Sequence, residues 1–183
     1  MIHHSLPSCT TTHEHSKLLA LCIMPTVAEK VSERMMSAGA TSSTVRVFGD
    51  RLESYCTELL RRGGSDDAEA RTVAANLTLS NLKGNDSHGV GYLPRYLKSA
   101  QKGLLKANYK CECKVSGPFV HVDGNLGYGQ VNGERAMEAG VRAARASGGL
   151  AVVSLKNSHH LGRIGKYAEL VAEQGIALMV KLY

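Results

Sequence analysis

The stretch "GPFVHVDGNLGYGQVNGERAMEAGVRAARASGGLAVVSL", residues 117–155, decides the fold. It opens on a short β-prone run, Phe119 to Val122, closed by a turn at Asp123-Gly124. Residues 129–148 then repeat apolar side chains at helical spacing, with Val131, Met137, Val141 and Ala144 on one face. "GLAVVSL", residues 149–155, is a continuous β-branched run of the kind that fills buried strands. Downstream, "GRIGKYAELVAEQG" (162–175) reads as a helix and "IALMVKL" (176–182) as a strand. This βαβαβ order predicts an α/β sheet with buried strands. A sheet that stops at Tyr183 has an unfinished edge, the pattern expected of a truncated protein.

Helices are expected upstream. In "FGDRLESYCTELLRR", residues 48–62, Leu52, Tyr55, Cys56, Leu59 and Leu60 trace an amphipathic stripe. Asp50 is the expected N-cap and Gly63-Gly64 the stop. A second helix should start after Ser65, with acids in its first turn, and run to about Asn81. A third begins at Leu93, with Pro94 in its first turn, and ends near Gly103. Residues 1–45 differ from the rest. They hold four of the eight histidines, a weak helical patch at 26–37 and a linker-like "SAGATSSTV", and are expected to form a disordered extension. Residues 46–183 form the expected domain.

Composition narrows the class. No apolar run approaches the roughly 20 residues of a bilayer span. Leu18 to Met24 is the best candidate and lacks a basic leader. The five cysteines form no paired framework, so reduced thiols and an intracellular, cytoplasmic location are expected. The net charge is +6; residues 1–45 are balanced, so the excess lies downstream. The row Arg95, Lys98, Lys102, Lys106, Lys110 and Lys114 has little aromatic interleaving and no recognisable reading motif, which argues against nucleic acid. A solvated face or a field that draws small anions fits it better.

Three places concentrate reactive residue types. Asp86-Ser87-His88-Gly89, with Tyr92, Arg95 and Tyr96 nearby, has no GxSxG elbow, so a hydrolase triad is weak. Ser87, His88 and Arg95 are better placed as a carboxylate-binding loop, unless His88 merely caps the neighbouring helix. Gly127, Gly129 and Gly133 give GxGxxxG, which is not the Rossmann spacing; a tight turn with close helix packing accounts for it. Finally, His159-His160 follows the strand at its C-terminal end, where open α/β sheets place ligands. Adjacent side chains diverge and no HExxH accompanies them, so no metal site is expected. A single imidazole with a pKa near neutrality suits general acid/base work.

Taken in order, "NDSHGVGYLPRYLKSAQKGLLKAN", "VDGNLGYGQ" and "NSHHLGRIGKYAELVAEQG" resemble the type 2 malate/L-lactate dehydrogenase family over about residues 47–181. The resemblance implies a non-Rossmann fold, usually a homodimer, and hydride transfer between NAD or NADP and a small 2-oxo or 2-hydroxy acid. It picks His160 as the acid/base residue, since the family pattern xHxGxxxxY matches His160 and Gly162, while His159 varies. Ser87, His88 and Gly89 then help to form the substrate and cofactor pocket, with Gly162 beside the cofactor and Arg95 toward the substrate. Tyr92 stands where many relatives carry a carboxylate-anchoring arginine. Further cofactor and substrate contacts would lie beyond Tyr183, so the competing expectation is a catalytically inactive fragment that serves only dimerisation or has no function.

Overall fold

The structure is a computed structural model and describes residues 46–182. The expected extension, with its helical patch at 26–37, lies outside the described residues. Helices α1 (Gly49–Arg62) and α2 (Asp67–Leu82) form the expected hairpin. Its caps differ in detail. Phe48 precedes α1, while Asp50 lies inside the first turn and accepts only from the neighbouring Arg51 N–H at 2.8 Å. Asp66 caps the second helix: its carboxylate accepts from Glu69 N at 2.8 Å. Gly63-Gly64 does end α1, with Gly64 at φ +101°. Cys56 and Leu60 are buried against Ala70, Val73, Ala74 and Leu77 of α2, but Tyr55 stays exposed at the margin of the stripe.

Two 3₁₀ turns, Asp86–His88 and Val90–Tyr92, lead into α3 (Leu93–Gln101), which buries Leu93 and Tyr96 in the same core. Strands β1 (Glu112–Ser116) and β2 (Phe119–Asp123) make an antiparallel hairpin. Helix α4 (Gly129–Ala146) crosses to β3 (Val152–Lys156), which pairs parallel to β2, Val120 opposite Val153 and Val122 opposite Leu155. Helix α5 (Gly165–Ala172) follows. A second core joins Val120 and Val122 to Ala136, Ala139 and Ala143 of α4. The α/β class and the β2–α4–β3 unit are as expected.

The third strand is not where the periodicity put it. Among the described residues the sheet order is β1-β2-β3, and residues 176–182 join no ladder. Ile176, Ala177 and Leu178 instead line a groove with Met137, Val141 and Ala144 of α4, while Met179, Val180 and Leu182 are exposed. A short apolar run reads alike whether it pairs or merely packs. β1 was missed because all five of its residues are exposed and give no buried face. β3 is likewise an edge strand with alternate exposure, not a fully buried one. No helix of the described residues is long and apolar enough to cross a membrane.

Candidate active site

The loops leaving β2 and β3 are bonded to one another at the C-terminal end of the sheet. Gly124 N donates to Lys156 O at 2.8 Å, Leu126 N to Asn157 O at 2.7 Å, and His159 N to Gly127 O at 3.0 Å. Buried Asn132 of α4 adds bonds from its amide to Gly124 O at 2.9 Å and Ser158 Oγ at 3.1 Å. Asn125, Leu126 and Asn157 all take positive φ to make these turns. Asp123 closes the arrangement by accepting from Asn125 N and from the Asn157 amide, which hold its carboxyl below the usual range. The glycine motif serves this contact. A Cβ at Gly129 would lie 2.2 Å from His160 O, and one at Gly133 2.4 Å from the Tyr167 ring. The GxGxxxG spacing is therefore a packing device, as expected.

This frame carries His160 into a group of rings. Its Nδ1 meets the Tyr96 hydroxyl at 2.8 Å, and Gln130 Nε2 donates to that same hydroxyl at 2.7 Å. Tyr96 and Gln130 are fully buried. The His160 ring lies flat on Tyr92, with centroids 4.4 Å apart and planes 6° apart, and is stacked at 5.4 Å with His88. His159 turns away and sets its ring edge-on to Tyr96 at 5.5 Å. With Nδ1 engaged, Nε2 is the nitrogen left to meet a substrate. The expectation of a neutral-range pKa does not hold. Burial, together with the neighbouring His88, His159 and Arg95, pulls His160 down to about 4.

The other expected residues gather unevenly around it. The His88 Nδ1 and the Ser87 hydroxyl are 2.9 Å apart, so His88 is tied to Ser87 and to the rings rather than to a helix end. Arg95 is exposed and its guanidinium carbon sits 5.1 Å from the centre of the Tyr92 ring. Gly89 and Gly162 are required by packing. A Cβ at Gly89 would strike the Asn81 amide at 2.1 Å; one at Gly162, where φ is +74°, would strike Asn76 Oδ1 at 2.6 Å. No open glycine cradle for phosphates is therefore formed at the positions the sequence singled out. His88, Tyr92 and His160 are half-buried and stack on one another. Among the described residues no group of three His, Cys, Asp or Glu side chains could hold a metal ion.

Tyr96 and Gln130 carry roles that the sequence reading did not assign. A signal existed for the first: Tyr92 and Tyr96 are four residues apart at the start of α3, a spacing that aligns side chains on one helical face. Nothing local marks Gln130.

Residues 48–181 match the family model for malate/L-lactate dehydrogenase. The chain belongs to the malate/L-lactate dehydrogenase family. It is 42% identical over 131 residues to hydroxycarboxylate dehydrogenase B of Escherichia coli, covering 71% of this chain and 36% of that protein. It is 34% identical over 120 residues to L-sulfolactate dehydrogenase of Methanocaldococcus jannaschii, covering 64% of this chain and 34% of that one. The malate dehydrogenase structure from Pyrococcus horikoshii superposes with a TM-score of 0.68 at 36% identity, covering 72% of this chain and 38% of that chain. The chain thus spans about a third of the length of these relatives.

Proposed function

We propose that the protein is an oxidoreductase that moves a hydride between NAD or NADP and a small 2-oxo or 2-hydroxy acid, with His160 exchanging the proton. The observation that carries this reading is the placement of His160. Its Nδ1 is held by Tyr96 at 2.8 Å, while its ring faces His88 and lies near the cation of Arg95. The nicotinamide, when bound, supplies or accepts the hydride. The chain's own residues do the rest. His160 gives a proton from Nε2 to the carbonyl oxygen on reduction, as the imidazolium that a bound carboxylate favours, and regains it from the hydroxyl on oxidation, when Nε2 is bare. Arg95 and Ser87 receive the substrate carboxylate, and its negative charge offsets the positive neighbours that depress His160. His88 borders both substrate and nicotinamide. Gly89 and Gly162 let the backbone beside His88 and His160 approach Asn81 and Asn76 closely. The reading carries with it a homodimer and a cytoplasmic location.

A second reading rests on the free edge of β3, which pairs only with β2 among the described residues. In it the chain is a non-catalytic fragment that associates through that edge. Hydride-transfer assays with NADH and NADPH against a panel of 2-oxo acids separate the two. They are run on this chain and on a version extended to the length of its relatives. Turnover in the extended version, abolished by His160→Ala with folding retained, is the expected result. No cofactor binding or turnover in either version overturns the reading; a dimer without activity in sedimentation then supports the fragment.

A further inference from the structure

We propose that Gln130 selects the tautomer of His160 through the Tyr96 hydroxyl, so that the neutral imidazole presents Nε2–H to its substrate. This rests on the assignment of His160 as the proton-exchanging residue and adds Gln130 and Tyr96 to it as positioning residues. Three bonds in series carry the inference. Gln130 Nε2 can only donate, so the Tyr96 oxygen accepts from it at 2.7 Å. The Tyr96 hydroxyl hydrogen is then directed to its other close partner, His160 Nδ1, at 2.8 Å. A ring nitrogen that accepts carries no proton in the neutral ring, which leaves the hydrogen on Nε2.

The surroundings keep this chain of bonds intact. Gln130 and Tyr96 are both fully buried, so no bulk water competes for the hydroxyl. Burial also holds the Tyr96 phenol up at about 12, so it stays a donor across the working pH range. His160 is neutral at pH 7 because burial depresses it. A neutral imidazole that donates from Nε2 can polarise a carbonyl oxygen. The resting site is thus set to recognise the oxo acid, whose carbonyl only accepts, ahead of the hydroxy acid. The opposite tautomer needs Tyr96 to accept from His160 Nδ1 and to donate elsewhere. A group at position 130 that only accepts would enforce that state.

The test uses this chain and the ¹⁵N resonances of its imidazole rings near pH 7, assigned by loss of signal in His160→Gln. The wild type should show His160 as the Nε2–H form. Gln130→Glu should invert it to Nδ1–H, because a carboxylate draws the Tyr96 hydroxyl to itself. Tyr96→Phe should leave His160 without that preference, and it keeps the proposal testable if Gln130→Glu does not fold. A wild-type ring in the Nδ1–H form overturns the proposal, as does an unchanged Nε2–H form in both variants. These resonances do not depend on turnover. Loss of the hydride-transfer reading in enzyme assays would leave them as they are, so the two failures are distinguishable.

Discussion

Gly129→Ala tests whether the loop carrying His160 is held in place by the close approach of helix α4. The added Cβ would lie 2.2 Å from His160 O and 2.4 Å from His159 O, against an ordinary contact of 3.4 Å or more. Restoring that contact moves the loop by about 1 Å, since packed interiors leave no void to absorb it. The loop cannot yield alone, because Leu161 O is held by the Tyr167 hydroxyl at 2.6 Å. Overpacking of this kind costs about 1–3 kcal/mol, partly offset by the up to roughly 1 kcal/mol by which Ala favours a helix over Gly. A loss of 1–2 kcal/mol lowers the melting temperature by roughly 2–8 °C in a chain of this size. The same displacement stretches the Tyr96–His160 bond from 2.8 Å beyond hydrogen-bonding range. Misplacement by about 1 Å then costs on the order of 100-fold in rate. Thermal unfolding of this chain, read with the His160 imidazole resonances, measures both consequences. Gly91→Ala is the control, because nothing lies within 4 Å of a Cβ there. A Gly129→Ala protein that melts with the wild type and keeps its His160 resonances refutes the reasoning.

Other expectations follow from the same geometry. Folded His160 has a pKa of about 4, below the ordinary value of 6.5, so its unfolded form binds the proton more tightly. Stability should therefore be fully present above pH 6.5 and decline as pH falls toward 4, with a shallower decline in His160→Gln; urea titrations at several pH values check this. Arg95→Ala, at an exposed position, should leave unfolding unchanged but weaken 2-oxo acid binding in the extended protein by roughly 10- to 100-fold, the worth of a charge-assisted bond. Raised KM with normal unfolding is the expected split. Tyr96→Phe leaves the buried Gln130 amide without its partner and should cost about 1–3 kcal/mol in urea unfolding.

The residues make plain why some of this was legible and some was not. The β2–α4–β3 unit declares itself because Val120, Val122 and the alanines of α4 bury one continuous core, and burial is what periodicity records. β1 buries nothing, so its ladder to β2 left no trace in the apolar pattern. Residues 176–182 err the other way: Ile176 to Leu178 lie along α4 while Met179, Val180 and Leu182 are exposed, so their apolar character marks no ladder. At the site, a histidine at a strand end was visible, whereas the depression of its pKa depends on rings and charges brought from α3 and the preceding turns. Gln130 lies 30 residues from His160, and only the crossing of α4 beneath the loop joins them through Tyr96.

The most direct test of the central claim compares kcat for His160→Gln and His159→Gln side by side in NAD(P)H-dependent reduction of 2-oxo acids by the extended protein. His160 faces the rings with Nδ1 held by Tyr96, and His159 only packs edge-on against that tyrosine. His160→Gln should lose about 100- to 10,000-fold, the usual worth of a general acid, while His159→Gln keeps most of its rate. Near-normal turnover in His160→Gln, with the loss falling on His159→Gln, would contradict the account.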